Sequence, residues 1–458
     1  MEDIIAGICV NFITEVINFF SESKARSMVE METSLKQKAD QFIVEMIKVY
    51  FKGIDKAIEE DKAGRRKKGI VIERKEDDRE VYTKFGYIEF NRTYYYDKRR
   101  EEYVYLLDKA VGLEGYERVS RTVSAELIGH AAETSYGESS RHVCDGEISR
   151  QTVMNKIRRI KGLEMEMPKE KRKVKVLHIE ADEDHVSLQD GSSAIVPLIS
   201  IHEGIERKGK RGQCKNIHHI SSYGKGSEEL WLGAAERIYG TYDIESMERI
   251  YIHGDGASWI KEGLNWVSKA KMVLDRYHLN RAVIEVTGRH QELRKEIYLA
   301  MKEGDKEKFK QIIRVMLRES QSDKERERIK NFRRYIINNW EAITIYGEEE
   351  CKGSCTEGHV SHVLSSRLSS RPMGWSRKGL KDMAELRAYY CNGGRVEARH
   401  LESEEEPYKL SRKVLGKATK AFKDFGMEKL NNIVLLRNGK VTPLFRHLKN
   451  IQYDGYLF

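Results

Sequence analysis

Proline is scarce in this chain, with five residues in 458, which argues against long disordered linkers. Cysteine is scarce too. Its six copies are irregularly spaced, a pattern that fits a reducing cytosol better than a disulfide framework. The amino terminus lacks the basic start and small-residue cleavage site of a secretory signal, and its apolar stretch carries Glu2, Asp3 and Glu15. No apolar run reads as long enough to span a bilayer, so a cytoplasmic chain with no membrane partner is expected. No internal repeat is visible. What is abundant is charge. Asp, Glu, Lys and Arg make up 34% of the residues, and Lys plus Arg (82) exceed Asp plus Glu (73) by nine. That excess favours an anionic partner, nucleic acid being the commonest. The length allows two or three domains.

The periodicities divide the chain. Residues 1–62 read as helix, with Ile4, Ile5, Ile8, Phe12, Val16 and Phe19, and later Phe42, Met46, Val49 and Tyr50, at helical spacing. The basic stretch Ala63–Gly69 reads as a loop able to touch phosphate or simply solvated. Residues 70–117 hold runs such as Val81–Phe90, Arg92–Tyr96 and Tyr103–Leu107, which predict a small antiparallel sheet. Its tyrosines would pack the sheet or offer bases a stacking platform. Residues 118–168 predict a helix-turn-helix. A short helix over 135–143 precedes a turn at Cys144–Glu147, and a second helix over 148–159 is capped by Ser149. Arg150, Gln151, Asn155 and Arg158 would face outward from it, residue types that reach bases and phosphates. Pro168–Lys173 reads as a linker.

From 173 the pattern is α/β. Strands are expected over 174–189 (broken near Asp182), 193–206, 216–223, 249–253 and 270–274, with a glycine and lysine turn at 207–212. Helices fall at 227–239 and 258–266. Three strands, a helix, a strand, a helix and a strand is the order of a ribonuclease H-like domain. Residues 279–345 interrupt it as a charged helical insertion, and 357–392 return as two helices around Arg371–Gly374. The catalytic unit is therefore read as 173–278 with 346–392. Residues 393–458 form a carboxy-terminal region without a firm assignment. The expected class is α/β and multi-domain.

Three acids stand out. Asp182 follows the apolar run Val176–Ala181, Asp255 follows Ile250–Gly254 and precedes Gly256, and Glu357 opens a helix-like stretch. Neighbouring strands lie about 4.8 Å apart, so two strand-end acids can share an ion. Phosphodiester transfer needs the charge on attacking and leaving oxygens neutralised, and two cations about 4 Å apart can do this. Mg²⁺ prefers a few carboxylates plus water and phosphate oxygens. Asp182 and Asp255 could bridge one such ion and Glu357 complete a second site. Asp184 rivals Asp182 from the same strand face, Glu180 lies deeper on that face, and Glu397 rivals Glu357. Asp275 and His278 form a second pair, able to orient a water, a carboxylate or the scissile phosphate, or else a helix cap and a surface histidine. Cys351, Cys355, His359 and His362 raise zinc as another explanation of the region around Glu357.

The motifs Ile179-Glu180-Ala181-Asp182, His253-Gly254-Asp255-Gly256, Asp275-Arg276-Tyr277-His278, Ser354–Val360 and Arg371–Ser376, in that order, resemble bacterial insertion-sequence transposases of the Lre type, relatives of the Mutator superfamily. The resemblance covers most of the chain. It implies a DDE-type acid triad of Asp182, Asp255 and Glu357 on a ribonuclease H-like fold, with an insertion between the second and third acids. It also implies an Asp-x-x-His motif, matched by Asp275 and His278. It further implies two Mg²⁺ or Mn²⁺ ions, double-stranded DNA partners (the element's terminal inverted repeats and target DNA), assembly as a homo-oligomer on DNA, and a bacterial, nucleoid-associated location. Water would free a 3′ hydroxyl at the element end, and that hydroxyl would attack target DNA. One departure is the acidic Glu183-Asp184 where a glycine follows the first acid in the family. A nuclease that cuts without joining, or a DNA-binding descendant without catalysis, are the alternatives.

Overall fold

The structure, a computed structural model, describes residues 2–424 apart from 23, 209–210, 289, 346–347, 349–353 and 402–406. Among the described residues two compact units form, one from those up to 125 together with those after 400, the other from those between 126 and 400.

In the first unit α1 (Glu2–Ser21) and α2 (Met28–Glu60) are followed by α3 (Lys62–Lys68). Ser27 and Glu30 close a capping box at the start of α2. The basic stretch expected as a loop is helix α3 instead. Asp61 ends α2 and accepts from the Gly64 amide to start α3, and left-handed Gly69 stops it. Buried Arg65 is held by the Ile58 and Glu59 carbonyls. The predicted antiparallel sheet is present as β1 (Ile70–Thr83), β2 (Gly86–Asp97) and β3 (Glu102–Tyr105), leading into α4 (Leu106–Val111). Ile54, Ala57 and Ile58 of α2 pack on Val81, Ile88 and Tyr95 of that sheet. Tyr94 stacks on Tyr103, and Arg92 covers the Tyr105 ring. The helix Arg412–Asp424, in the tail left unassigned above, joins this core through Val414 and Ala418. One expectation fails here. Among the described residues, α1 is a helix long and apolar enough to cross a membrane by length and composition. Its helical repeat carries apolar side chains on more than one face. Ile5 is buried with Val49 and Ala421, while Ile4, Val10, Ile13, Ile17 and Phe20 stay exposed.

The division falls within α5 (Arg121–Glu133), and the second unit continues with α6 (Tyr136–Cys144) and α7 (Arg150–Ile157). Its sheet consists of β4 (Val176–Ser187), β5 (Ser193–His202), a side hairpin β6 (Ile205–Lys208) and β7 (Arg211–Cys214), and β8 (His218–Ser221). After α8 (Ser227–Thr241) come β9 (Arg249–Gly254), α9 (Ser258–Lys261), α10 (Gly263–Trp266) and β10 (Ala270–Leu274). The strand order is β10-β9-β4-β5-β8. Strands β4, β5 and β8 run antiparallel, and β9 and β10 run parallel to β4. Two details differ from expectation. Strand β4 is unbroken, pairing with β5 from His178 through Ser187. Arg207 and Lys208 pair with Gly212 and Arg211 in the β6–β7 hairpin rather than lying in a bare turn.

Alternation along β4 explains what it carries. Leu177, Ile179 and Ala181 face a core built with Trp231, Ala234 and Ile238 of α8. Each such burial contributes roughly 1.5–3 kcal/mol. His178, Glu180 and Asp182 occupy the other face. Helices α11 (Arg276–Val286), α12 (Gln291–Glu303), α13 (Lys306–Glu319), α14 (Asp323–Asn338) and α15 (Trp340–Thr344) follow β10 in the charged segment read above as an insertion. They have their own core around Phe309, Ile313, Met316, Phe332 and Ile336. The chain then returns as α16 (Thr356–Val360), a π-helical turn (Ser361–Ser365), α17 (Ser366–Leu368) and α18 (Arg377–Cys391).

Candidate active site

Register places the acids. Strands β9 and β4 pair in parallel, ending at Glu180 opposite His253, so the next two residues of each bring Asp182 level with Asp255. Strands β10 and β9 end with Leu274 opposite Gly254, which brings Asp275 alongside. Glycines make the Asp255 turn possible. A Cβ on Gly254 would meet Ile260 at 2.7 Å and the Ala181 carbonyl at 3.0 Å. Gly256 sits at φ +90° with Asn339 2.6 Å from its would-be Cβ. The Tyr335 hydroxyl of α14 donates to the Asp255 carbonyl at 3.0 Å.

Glu357 arrives from the far side of the insertion, and two bonds seat it. The Ser354 hydroxyl bonds the Asp275 carboxylate, and the Cys355 amide donates to Glu180 Oε1 at 2.7 Å. Helix α16 then starts, with Glu357 exposed in its first turn. Asp182, His278 and Glu357 each offer a ligand atom, and all three atoms lie within 4.8 Å of one another. Asp255 is close enough for its charge to raise the pKa of both Asp182 and His278. Its Oδ1 accepts from the Ala257 amide at 2.8 Å, and it stands outside the tight trio.

The electrostatics are those of a crowded, half-buried acid cluster. Burial pushes Asp182 up to about 6, the Asp255 and Glu357 charges add to that, and the Glu183 amide works against it. Asp275 caps α11 by accepting from the Tyr277 and His278 amides. Its contact with the His278 ring, helped by the Asp182 and Asp255 charges, raises the imidazole pKa against the effect of burial. The Asp275, Asp182 and Asp255 carboxylates thus favour the protonated form of His278. The carboxylate oxygens, with Glu357 open to solvent, form a donor set that could hold Mg²⁺ or Mn²⁺.

The rival acids are otherwise engaged. Asp184 is buried and accepts from the Ser365 and Ser369 hydroxyls at 3.0 and 2.9 Å. Glu397 is exposed and paired with Arg399 at 3.0 Å. Glu180 is buried one layer below Asp182. Its Oε1 takes His202 Nε2 at 3.2 Å, and its Oε2 lies 2.7 Å from His359 Nδ1, short but without the alignment of a linear hydrogen bond. Burial alone would push Glu180 up, but His202 and His359 outweigh it and hold the carboxyl well below its usual range.

Of the cysteine and histidine set near Glu357, Cys351 lies outside the described residues and His362 is exposed. Cys355 and His359 do gather, but with Cys214 of β7. Its Sγ is 3.6 Å from His359 Nε2, and its thiol is hydrogen-bonded with that of Cys355. Sequence reasoning missed this layer, including His202, His219 and the bond between His178 Nδ1 and His253 Nε2 at 3.1 Å. The available signal was a run of polar residues (His178, Glu180, Ser200, His202) at alternate positions of otherwise apolar strands.

Helices α6 and α7 stand as two short helices about the Asp145-Gly146 turn, with Ser149 capping α7. Arg150, Gln151 and Asn155 are exposed. Arg158 departs from expectation. It caps the end of α7, which stops two residues earlier than the pattern suggested, is half-buried, and reaches the Ser376 hydroxyl at 3.3 Å.

Comparison with known proteins gives one family. Residues 22–405 match the family described as "Uncharacterised protein family (UPF0236)". A UPF0236 protein of Caldanaerobacter subterraneus subsp. tengcongensis, whose name carries eleven locus designations, is 43% identical over 99% of this chain and 98% of its own length. A second from that organism, carrying four designations, is 42% identical over the same shares. A UPF0236 protein of Streptococcus gallolyticus, described as lying in the vanSb 3′ region, is 27% identical over 84% of this chain and 87% of its own.

Proposed function

The chain belongs to the UPF0236 family, and we propose that it is a DNA transposase of the Lre insertion-sequence type, performing metal-dependent strand cleavage and strand transfer. The observation that carries this reading is the convergence of Asp182, His278 and Glu357 within 4.8 Å, beside Asp255, from points far apart in sequence. The strand order supports a ribonuclease H-like catalytic unit: three antiparallel strands, then two strands added parallel to the first. Relatives whose names carry eleven and four loci in one genome are what an element that copies itself would leave behind.

In this reading Asp182, Asp255 and Glu357 hold two Mg²⁺ or Mn²⁺ ions, which would neutralise charge on the attacking and leaving oxygens of the phosphodiester. The chain's own side chains position that chemistry. Asp275 fixes His278 by capping its helix and touching its ring. His278, whose protonated form the neighbouring carboxylates favour, can balance them and face a phosphate oxygen. Glu357, solvent-open, can approach a DNA strand laid over the sheet end. Arg150, Gln151 and Asn155 on α7 are the proposed contacts to the terminal repeats, and the tyrosine face with Arg92 in the first unit offers a stacking surface. The proposed setting is a bacterial cytosol, at the nucleoid, with the protein assembled as a homo-oligomer on DNA.

The test uses the purified full chain with DNA carrying the flanks of its own gene, in Mg²⁺ or Mn²⁺. The expected result is nicking at the element end and, from pre-cleaved ends, joined products. Asp255→Ala should abolish cleavage and leave end binding nearly unchanged. Cleavage without joining would make the protein a nuclease. End binding with no cleavage in either metal would make it a non-catalytic DNA-binding protein. Cleavage that survives Asp255→Ala would reject the site.

A further inference from the structure

Helix α1 (Glu2–Ser21) carries two apolar stripes, and the fold of the first unit uses one of them. Ile5 packs with Val49 of α2 and Ala421 of the helix Arg412–Asp424, Ile8 joins them, and Phe12 stacks on Phe42 at 4.8 Å. About 100° round the helix run Ala6, Val10, Ile13, Ile17 and Phe20, spaced by four, three, four and three residues. Val10, Ile13, Ile17 and Phe20 are 60%, 55%, 57% and 56% exposed.

Alternating steps of four and three make the seam of a two-helix coiled coil, where each side chain enters a hole between four on the facing helix. A helix that packs on one core needs only one apolar stripe. Just past the turn into α2, Met28 and Val29 are exposed as well. Covering these six large side chains would bury on the order of 600 Å² per copy, against the roughly 800 Å² per partner of a standard interface.

The chemistry of α1 narrows the partner. Between Glu2 and Ser21 there is no Lys, Arg or His, while Glu2, Asp3 and Glu15 are acidic. Nucleic acid and anionic lipid both call for basic side chains, so neither matches this helix. Crossing a bilayer would set the third face, with Asn11, Glu15 and Asn18, in hydrocarbon, and would give up the packing on α2. An apolar stripe with seam spacing is complementary to itself, and a two-fold axis brings two identical stripes together.

We propose that α1 pairs with α1 of a second copy of this chain, making a dimer that forms without DNA. This goes beyond the DNA-bound assembly proposed above and does not rest on the transposase reading.

The experiment measures the mass of the purified full chain by sedimentation equilibrium at micromolar concentration, without DNA. The expected result is twice the chain mass, retained at high salt because the seam is apolar. Ile13→Glu with Ile17→Glu should give the single mass with unchanged helix content, since both side chains are exposed in the lone chain. If that chain does not fold, Ile13→Ser with Ile17→Ser should show the same loss. Ile13→Leu with Ile17→Leu should keep the dimer. A parent chain of single mass overturns the proposal, and flotation of that chain with phospholipid vesicles would assign the stripe to a membrane instead. A dimer that survives both the glutamate and the serine pairs also overturns it, because the contact would then lie elsewhere.

Discussion

Asp182 and Glu180 sit two residues apart on one strand face, about 6.6 Å along β4, and they live in opposite surroundings. Glu180 is enclosed, with both oxygens met by His202, the Cys355 amide and His359. Asp182 is half-buried among other acids and accepts a single local amide. The lower layer is closed over by protein groups and serves the fold. The upper layer is left with surplus negative charge, which a cation can answer. The strand delivers both acids identically, and what closes over each one decides its role.

The sharpest way to break this contrast is to remove each acid and read two outputs. Asp182→Ala should cut DNA cleavage by about 10³-fold or more, a barrier rise of about 4 kcal/mol, with the urea midpoint unchanged or raised. A variant that still cleaves would erase the distinction. Glu180→Ala should act on stability instead. It leaves His202 and His359 facing an emptied buried site, and the loss should be about 3–5 kcal/mol in urea unfolding. A neutral result there would mean that the lower layer is not closed as described.

Gly256→Ala tests the turn that presents Asp255. The positive φ and the close Asn339 side chain predict a loss of about 1–3 kcal/mol. Asn339→Ala in the same chain should recover only the part due to the clash.

The smallest effect, and the finest comparison, is in pH. The folded pKa of Asp182 is raised to about 6. Folding therefore favours its protonated form, and stability falls as pH rises from its ordinary value near 4 to about 6. Glu180 is held below its ordinary value, so its contribution is present above that value and fades as pH falls through the lowered one. Urea midpoints at pH 4 and pH 7 should thus show Asp182→Asn gaining on the parent chain at pH 7. Glu180→Gln should lose most at pH 7. Parallel shifts in both variants would refute the assigned signs.

Much of this was legible in the sequence, because strand-end acids and helix caps are local features. Val176–Ala181 and Ile250–Gly254 announced their strands, Ser149 its helix, and Asp275 its cap. What escaped depends on partners distant in sequence. Nothing near Asp184 reveals that Ser365 and Ser369 will occupy it, and nothing near Cys355 reveals Cys214. Arg158 lies in a segment of helical pattern, but its exposure was settled by Ser376, 218 residues away. The basic run 63–69 misled because charge suggested a loop, while Asp61 and Gly69 supplied the caps of a helix.

The π-helical turn at Ser361–Ser365 has a consequence for phase. An α-helix advances about 100° per residue, and a wider turn resets that count midway along a continuous segment. Upstream of the reset, Glu357 and His359 meet Asp182 and Glu180. Downstream, Ser365 and Ser369 meet Asp184. One segment thereby services three consecutive same-face acids of a strand whose repeat it does not share. Deleting a single residue from that turn would rotate one half against the other, so that β4 could keep the partners of Glu180 and Asp182 or those of Asp184, but not both.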